Sequence, residues 1–346
     1  MLLNQMKVSD GRIQRRNIVM QGVLLVNKPA GITSHDVGRQ VRKIFQIRKV
    51  GHAGTLDPFA TGLLLVCLGE ATKIVRLLVE HPKEYVAEMK LGETTDTQDY
   101  TGRVKECREI PLMAQESIST IFARFSGEIS QIPPMYSAKR LEGQHLYELA
   151  RAGNIVERAA QKVMIYELEI LEQALPFLRF RVVCSKGTYI RTLAHDIGAV
   201  LGCGAHLTAL TRTRIGHFSV QDAFSLDQLA QLTQLNDRER CLIPINQALS
   251  FLPAIELDET ASCRLAHGGR VAVPETYAAL FEPIEGQNQI VRVQHLNAEL
   301  IALARVIEEN LEGKKQMQLQ PIRVFANAFE FACKYRECRE VLERKL

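Results

Sequence analysis

The chain has 346 residues, 46% of them hydrophobic, with 43 basic against 39 acidic side chains and a net charge of +4. That balance excludes a disordered chain, and no apolar run approaches the ~20 residues a membrane-spanning helix needs. The first twenty residues carry Arg12, Arg15 and Arg16 without a following apolar stretch and cleavage site, and the eight cysteines form no C-x-x-C pair, so a soluble cytoplasmic protein with reduced thiols is expected.

After a leader over residues 1–21, Gly22 to Asn27 reads as a strand closed by the turn Lys28-Pro29-Ala30-Gly31. Thr33 or Ser34 then caps a helix in which Val37, Val41, Ile44 and Phe45 recur at helical spacing and leave Arg39, Arg42 and Lys43 facing outward. Next comes Gly51-His52-Ala53-Gly54-Thr55-Leu56-Asp57-Pro58. Its glycines relax the backbone and Pro58 pushes Asp57 toward extended geometry, so the carboxylate is held by a turn. The apolar run Leu63 to Leu68 predicts a buried strand, and Ala71 to Val79 a short helix. From Lys83 to Gly92 the pattern alternates, which puts Tyr85, Ala87, Met89 and Leu91 on one face of a strand. Thr94, Thr95, Asp96, Thr97 and Asp99 lack the offsets of a calcium loop, so Gly92 to Gly102 is expected to be a turn between strands.

A helix near residues 114–125 precedes Ile132-Pro133-Pro134, where a long excursion begins and runs to about residue 163. Strands at Val163 to Leu171 and Phe177 to Cys184 form a hairpin. Thr188 is then expected to cap a helix through Ile190, Leu193, Ala194, Ile197, Val200 and Leu201, with Arg191 in its first turn. A cation there opposes the helix dipole by up to about 1 kcal/mol, which calls for a specific anionic partner, and Asp57 is the candidate. From Leu252 short alternating segments predict a small all-β unit, and Phe331, Tyr335, Cys338 and Leu342 fall on one face of a closing helix.

Two segments are strongly basic: His35 to Lys49 has five Arg or Lys against Asp36 alone, and Arg179 to Arg214 has six against Asp196 alone. Flanking one site they would make the positive field that a phosphate backbone requires; two solvated faces are the plain alternative. No phosphate-binding P-loop or zinc pattern is present. Taken alone, Asp57 could equally be a turn former and His52 a loop histidine.

Read as whole strings, these segments resemble the bacterial tRNA pseudouridine-55 synthase family, the TruB type. The resemblance runs through Gly22 to Pro29, Thr33-Ser34-His35-Asp36, Gly51 to Pro58, Lys83-Glu84-Tyr85, Pro133 to Ala138, Leu146 to Arg151 and Gly187 to Leu193. It implies an α+β fold: a catalytic domain over 22–251 with a mixed, largely antiparallel sheet flanked by helices, and a thumb-like insertion about 132–163. A PUA-like RNA-binding domain over 252–327 and a tail over 328–346 would follow.

The implied reaction is isomerisation of a flipped-out uridine in the T loop of tRNA. Asp57 would be the nucleophile, whether by addition to the ring, attack at C1′ or elimination to a glycal. Tyr85 would stack on the base or remove a proton, and Arg191 would pair with Asp57, offsetting the effect of burial so that the carboxylate stays ionised. His52 would displace the target base, Leu210 would line the uracil pocket, and Lys28, Arg42, Lys139, Arg140 and Arg212 would contact RNA. No cofactor or metal is implied; the partner is the tRNA T stem-loop, with no membrane, no obligatory protein partner and a monomeric chain. Two positions depart from the family pattern: Thr211 stands for an arginine after Leu210, and the thumb reads Ala138-Lys139-Arg140 where an apolar residue before the lysine is more usual. A guide-RNA-dependent synthase subunit and a non-catalytic tRNA-binding or folding protein are the alternatives.

Overall fold

The structure, a computed structural model, describes residues 20–112, 115–137, 139–141, 143–232, 234–278, 281, 289–296, 299–311 and 314–325. The leader up to residue 19, Ala138 and the tail with its expected helical face lie outside the described residues.

β1 (Gly22–Lys28) leads into α1 (Ser34–Phe45), and β2 (Val50–Ala53) and β3 (Thr61–Leu68) flank the Asp57 turn. The expected helix after β3 divides into a 3-10 turn at Gly69–Ile74 and α2 (Val75–Glu80), which return the chain to β4 (Lys83–Leu91). β5 (Glu93–Thr95) and β6 (Val104–Cys107) make a short hairpin whose polar tip holds Asp96, Thr97 and Asp99. α3 (Gln115–Ala123) and β7 (Gly127–Gln131) precede the insertion, which contains the strand pair β8 (Arg140–Leu141) and β9 (Gln144–His145) and helix α4 (Leu146–Arg151). β10 (Gln161–Ala174), β11 (Phe177–Cys184), α5 (Ile190–Leu201), β12 (Ala205–Ile215), β13 (Phe218–Ser219), α6 (Leu226–Ala230), α7 (Leu235–Arg240) and β14 (Leu242–Ile243) complete this part.

The main sheet runs β14-β1-β3-β12-β4-β11-β10-β7. Its pairings are antiparallel except β3 with β12, which run parallel over two residue pairs, Thr211 with Thr61 and Arg212 with Gly62. The backbones approach so closely there that a Cβ on Gly62 would lie 2.3 Å from the Arg212 carbonyl oxygen. β3 is apolar without alternation because it is covered on both faces. Leu64, Val66 and Leu68 pack with Val37, Val41 and Phe45 of α1, while Leu63, Leu65 and Cys67 face Ala71, Ile74 and Leu78. Each such leucine or valine contributes about 1.5–3 kcal/mol by leaving water. The far half of the sheet packs Ala87, Met89, Phe180 and Val182 against Leu193 and Ile197 of α5.

α1 starts with a full capping box in which the Thr33 hydroxyl accepts from Asp36 N–H and the Asp36 carboxylate accepts from Thr33 N–H. α5 starts differently from expectation. Tyr189, not Thr188, is its N-cap and makes no side-chain cap bond, while the Thr188 hydroxyl donates to Ser185 O.

Beyond residue 252 the chain forms a five-stranded sheet and helices, not an all-β unit. β15 (Ala254–Leu257) is followed by α8 (Glu259–Ala266), capped by Asp258, then β16 (Val271–Ala272), β17 (Ile290–His295), β18 (Leu300–Leu311) and β19 (Lys314–Val324). This sheet is joined to the first by packing. Leu300, Leu303 and Phe325 share one buried cluster with Val23, Leu63 and Ile74. The Lys73 ammonium donates to Val324 O at 2.7 Å over the Phe325 ring, and Arg292 donates to Leu252 O and to Asn246.

Candidate active site

The Asp57 turn is anchored from three sides. The Ser34 hydroxyl, at the start of α1, accepts from Leu56 N–H at 2.9 Å, and Gly31 N–H donates to Pro58 O at 2.8 Å. The Lys28 ammonium, fully buried, donates to the carbonyls of Pro29, Ile32 and Pro58. Arg212, 1% exposed, donates from Nε to Leu63 O at 2.7 Å and from Nη2 to Gly54 O at 2.8 Å. Lys28 and Arg212, expected to contact RNA, have their donors on backbone carbonyls. Both cations are enclosed, and their donors hold backbone carbonyls that would otherwise be orphaned. Burial lowers the Lys28 pKa to about 8, against the pull of Asp57.

Arg191 meets Asp57 as a two-pronged fork: Nη2 donates to Oδ1 and Nε lies against Oδ2, each at 2.9 Å. Nη1 also donates to Thr97 O at 2.9 Å, Nη2 to Tyr136 O at 2.7 Å, and Nη1 stands 3.4 Å from Asp99 Oδ2. The guanidinium thus makes three hydrogen bonds and two ion-pair contacts. The Arg191 side chain is 4% exposed and that of Asp57 31%, so the carboxylate is the open edge of the pair.

Two carboxylates share this one guanidinium. Asp99 is held by Thr97 and Thr101, whose Oγ1 groups and, from Thr101, the backbone N–H all donate to Oδ1. Asp57 is consequently pushed above the ordinary carboxylate range, first by burial and further by Asp99, with Arg191 opposing. Arg191 thus offsets the effect of burial in part.

Tyr85 and Leu210 sit beside the turn in one apolar cluster with Leu56, Phe59 and Ala60. Burial raises the Tyr85 phenol above its usual value, with Arg212 opposing, so at neutral pH it presents an uncharged ring. His52, on β2, contacts the Thr55 hydroxyl at 3.2 Å, and burial, then Arg212 and His35, lower its pKa, which leaves it neutral at pH 7. Arg42, Lys139 and Arg140 are exposed; Lys139 donates to Gln161 at 3.2 Å.

Asp57, Arg191, Tyr85 and Leu210 are thus brought to one place. Sequence reasoning missed Asp99, whose only local signal is an acid between two threonines, and Tyr189, whose phenol is raised by burial and feels both Arg191 and Asp57.

A model of the TruB family pseudouridylate synthase N-terminal domain matches residues 42–190, and one of the tRNA pseudouridylate synthase B C-terminal domain matches 191–250. A tRNA pseudouridine synthase B of Burkholderia pseudomallei is 44% identical over 289 residues, 84% of this chain and 94% of that protein. One from Haemophilus influenzae is 46% identical over 255 residues, 73% and 81% of the two chains. Among solved structures, a Cbf5-Nop10-Gar1 complex matches with a TM-score of 0.69 at 28% identity, covering 90% of this chain and 87% of that one. An H/ACA ribonucleoprotein bound to substrate RNA containing 2′-deoxyuridine matches with a TM-score of 0.66 at 29% identity, covering 89% and 86%. With its mixed sheet and an Asp turn forked to a buried arginine, the chain belongs to the TruB family of pseudouridine synthases.

Proposed function

We propose that this protein converts uridine to pseudouridine at position 55 in the T loop of tRNA, with Asp57 as nucleophile on a base turned out of the RNA stack. The observation that carries this reading is the asymmetry of the ion pair: Arg191 is enclosed while Asp57 keeps an open edge beside Tyr85 and Leu210. The isomerisation breaks the N1–C1′ bond, forms C5–C1′, and moves a proton from C5 to solvent while N1 takes one up. It needs an anionic oxygen at the sugar–base junction and a flat apolar slot for the uracil. Extruding the base costs a few kcal/mol, repaid by stacking on Tyr85 and by phosphate contacts. Arg42, Lys139 and Arg140 are exposed and suited to those contacts, and the sheet beyond residue 252 would serve as a PUA-like second RNA surface. We place the protein in the cytoplasm, acting as a monomer without an obligatory protein partner.

The test is release of tritium from uridine C5 in T-arm RNA by the parent and by Asp57→Asn, with RNA binding measured in parallel. Release by the parent alone, with binding kept by the variant, is expected; a parent that releases none is not this enzyme. The likeness to ribonucleoprotein subunits gives the guide-dependent alternative its weight. It would hold if release required added guide RNA and accessory proteins.

A further inference from the structure

Two glutamines face each other where the insertion leaves and rejoins the main sheet. Gln131 ends β7, Gln161 begins β10, and they are register partners. Both reach the turn that starts α5. Gln131 is fully buried; its Oε1 accepts from Tyr189 N–H at 3.0 Å and its Nε2 donates to Tyr189 O at 3.3 Å. One amide thereby engages both backbone groups of the helix N-cap, which has no side-chain cap of its own; Tyr189 O also accepts the first bond of the helix from Leu193 N–H at 3.0 Å. Gln161 Nε2 donates to Gly187 O at 2.6 Å, and its Oε1 accepts from Lys139 of the insertion. Two residues beyond Tyr189 lies Arg191, one of whose hydrogen-bond acceptors, Tyr136 O, also belongs to the insertion.

We propose that Gln131 is a positioning residue for the isomerisation. By holding both backbone groups of Tyr189 it fixes the first turn of α5, and with it the angle at which Arg191 meets Asp57. The role rests on the reading of Asp57 as the reacting carboxylate. A planar primary amide offers one donor and one acceptor side by side, the complement of the N–H and C=O of a single residue. Methionine fills a similar volume and offers neither. Glutamate keeps the acceptor for Tyr189 N–H but, when ionised, sets a second acceptor against Tyr189 O. Because Gln131 is also the last residue before the insertion, the seat of the insertion and the seat of Arg191 are set by one side chain.

The test uses the full chain: single-turnover pseudouridine formation on T-arm RNA across pH, with RNA binding and thermal unfolding alongside, for the parent, Asp57→Asn, Gln131→Met and Gln131→Glu. Misplacement of a supporting group lowers a rate by up to about 100-fold, so Gln131→Met is expected to lose about ten-fold or more with RNA affinity within about two-fold of the parent. Its acid limb should move to higher pH, since an Arg191 less well aligned lowers the Asp57 pKa less. For Gln131→Glu, the rate relative to the parent should rise as pH falls, because protonation of the new carboxyl restores a donor to Tyr189 O. A folded Gln131→Met with parental rate and limb would overturn the role, as would a pH-independent ratio for Gln131→Glu. If the parent is active and Asp57→Asn is not, these results judge Gln131 alone; an inert parent overturns the reading beneath it as well.

Discussion

The two basic segments have similar charge on paper and different fates in the fold. Along α1 and the turn after it, Arg42, Lys43 and Arg48 stand exposed, while Arg39 pairs with Asp36 and Lys49 with Glu70 at the surface. Between Arg179 and Arg214 most cations are engaged: Arg181 with Glu84 and Glu167, Lys186 with Glu80, Arg191 with Asp57 and Asp99, and Arg212 with two carbonyls. The first segment is a field and the second is a frame. A count of charges along a chain cannot separate them, because what neutralises Arg212 is backbone, and backbone leaves no mark in the residue types.

The contrast can be broken by substitution. The largest effect is expected from Arg191→Ala, which leaves the carboxylates of Asp57 and Asp99 without their guanidinium. Removing one member of a buried pair costs roughly 3–5 kcal/mol, to be read as a lower urea midpoint; an unmoved midpoint would put Arg191 outside the frame. Arg212→Met should follow, since each orphaned carbonyl costs about 1–3 kcal/mol. Its folded fraction should bind T-arm RNA with the parental salt dependence, and a shallower slope would instead make Arg212 a phosphate contact.

Asp99→Asn sharpens the comparison inside the frame. Asp57 is raised in the folded chain, so it loses its charge at a higher pH than an ordinary carboxylate, and with Asp57 as nucleophile activity is expected to fall there too. Removing the like charge of Asp99 should move that acid limb of the rate profile to lower pH; a limb that stays or rises would show that Asp99 acts only through the placement of Arg191. The smallest effect on stability belongs to Arg42→Ala, within about 0.5 kcal/mol. Its mark should be a slope of log affinity against log salt shallower by about 0.7 to 0.9, the value of one lost phosphate contact.

The elements whose periodicity is long were legible in the chain: α1, the non-alternating β3, the alternating β4 and the hairpin of β10 and β11. The Asp57 to Arg191 pair was legible too, because a cation in the first turn of a helix is unfavourable without a partner. Asp99 was not, since it reaches Arg191 from the tip of a separate hairpin and only tertiary packing brings them together. Helix α8 spans eight residues, too few for a clear apolar stripe, and its one local sign was the cap at Asp258. The cap of α5 falls at Tyr189 and not at Thr188, and the backbone there is bonded by Gln131, a residue 58 positions away that no local pattern could supply.

The seam between the two sheets has a consequence for how the molecule can be used. Val23 and Leu63 on one side and Leu303 and Phe325 on the other belong to a single buried cluster, so the spacing between the sheets is set by packing and not by the length of a linker. A ligand long enough to touch both is measured against that spacing, as an object is against the jaws of a caliper.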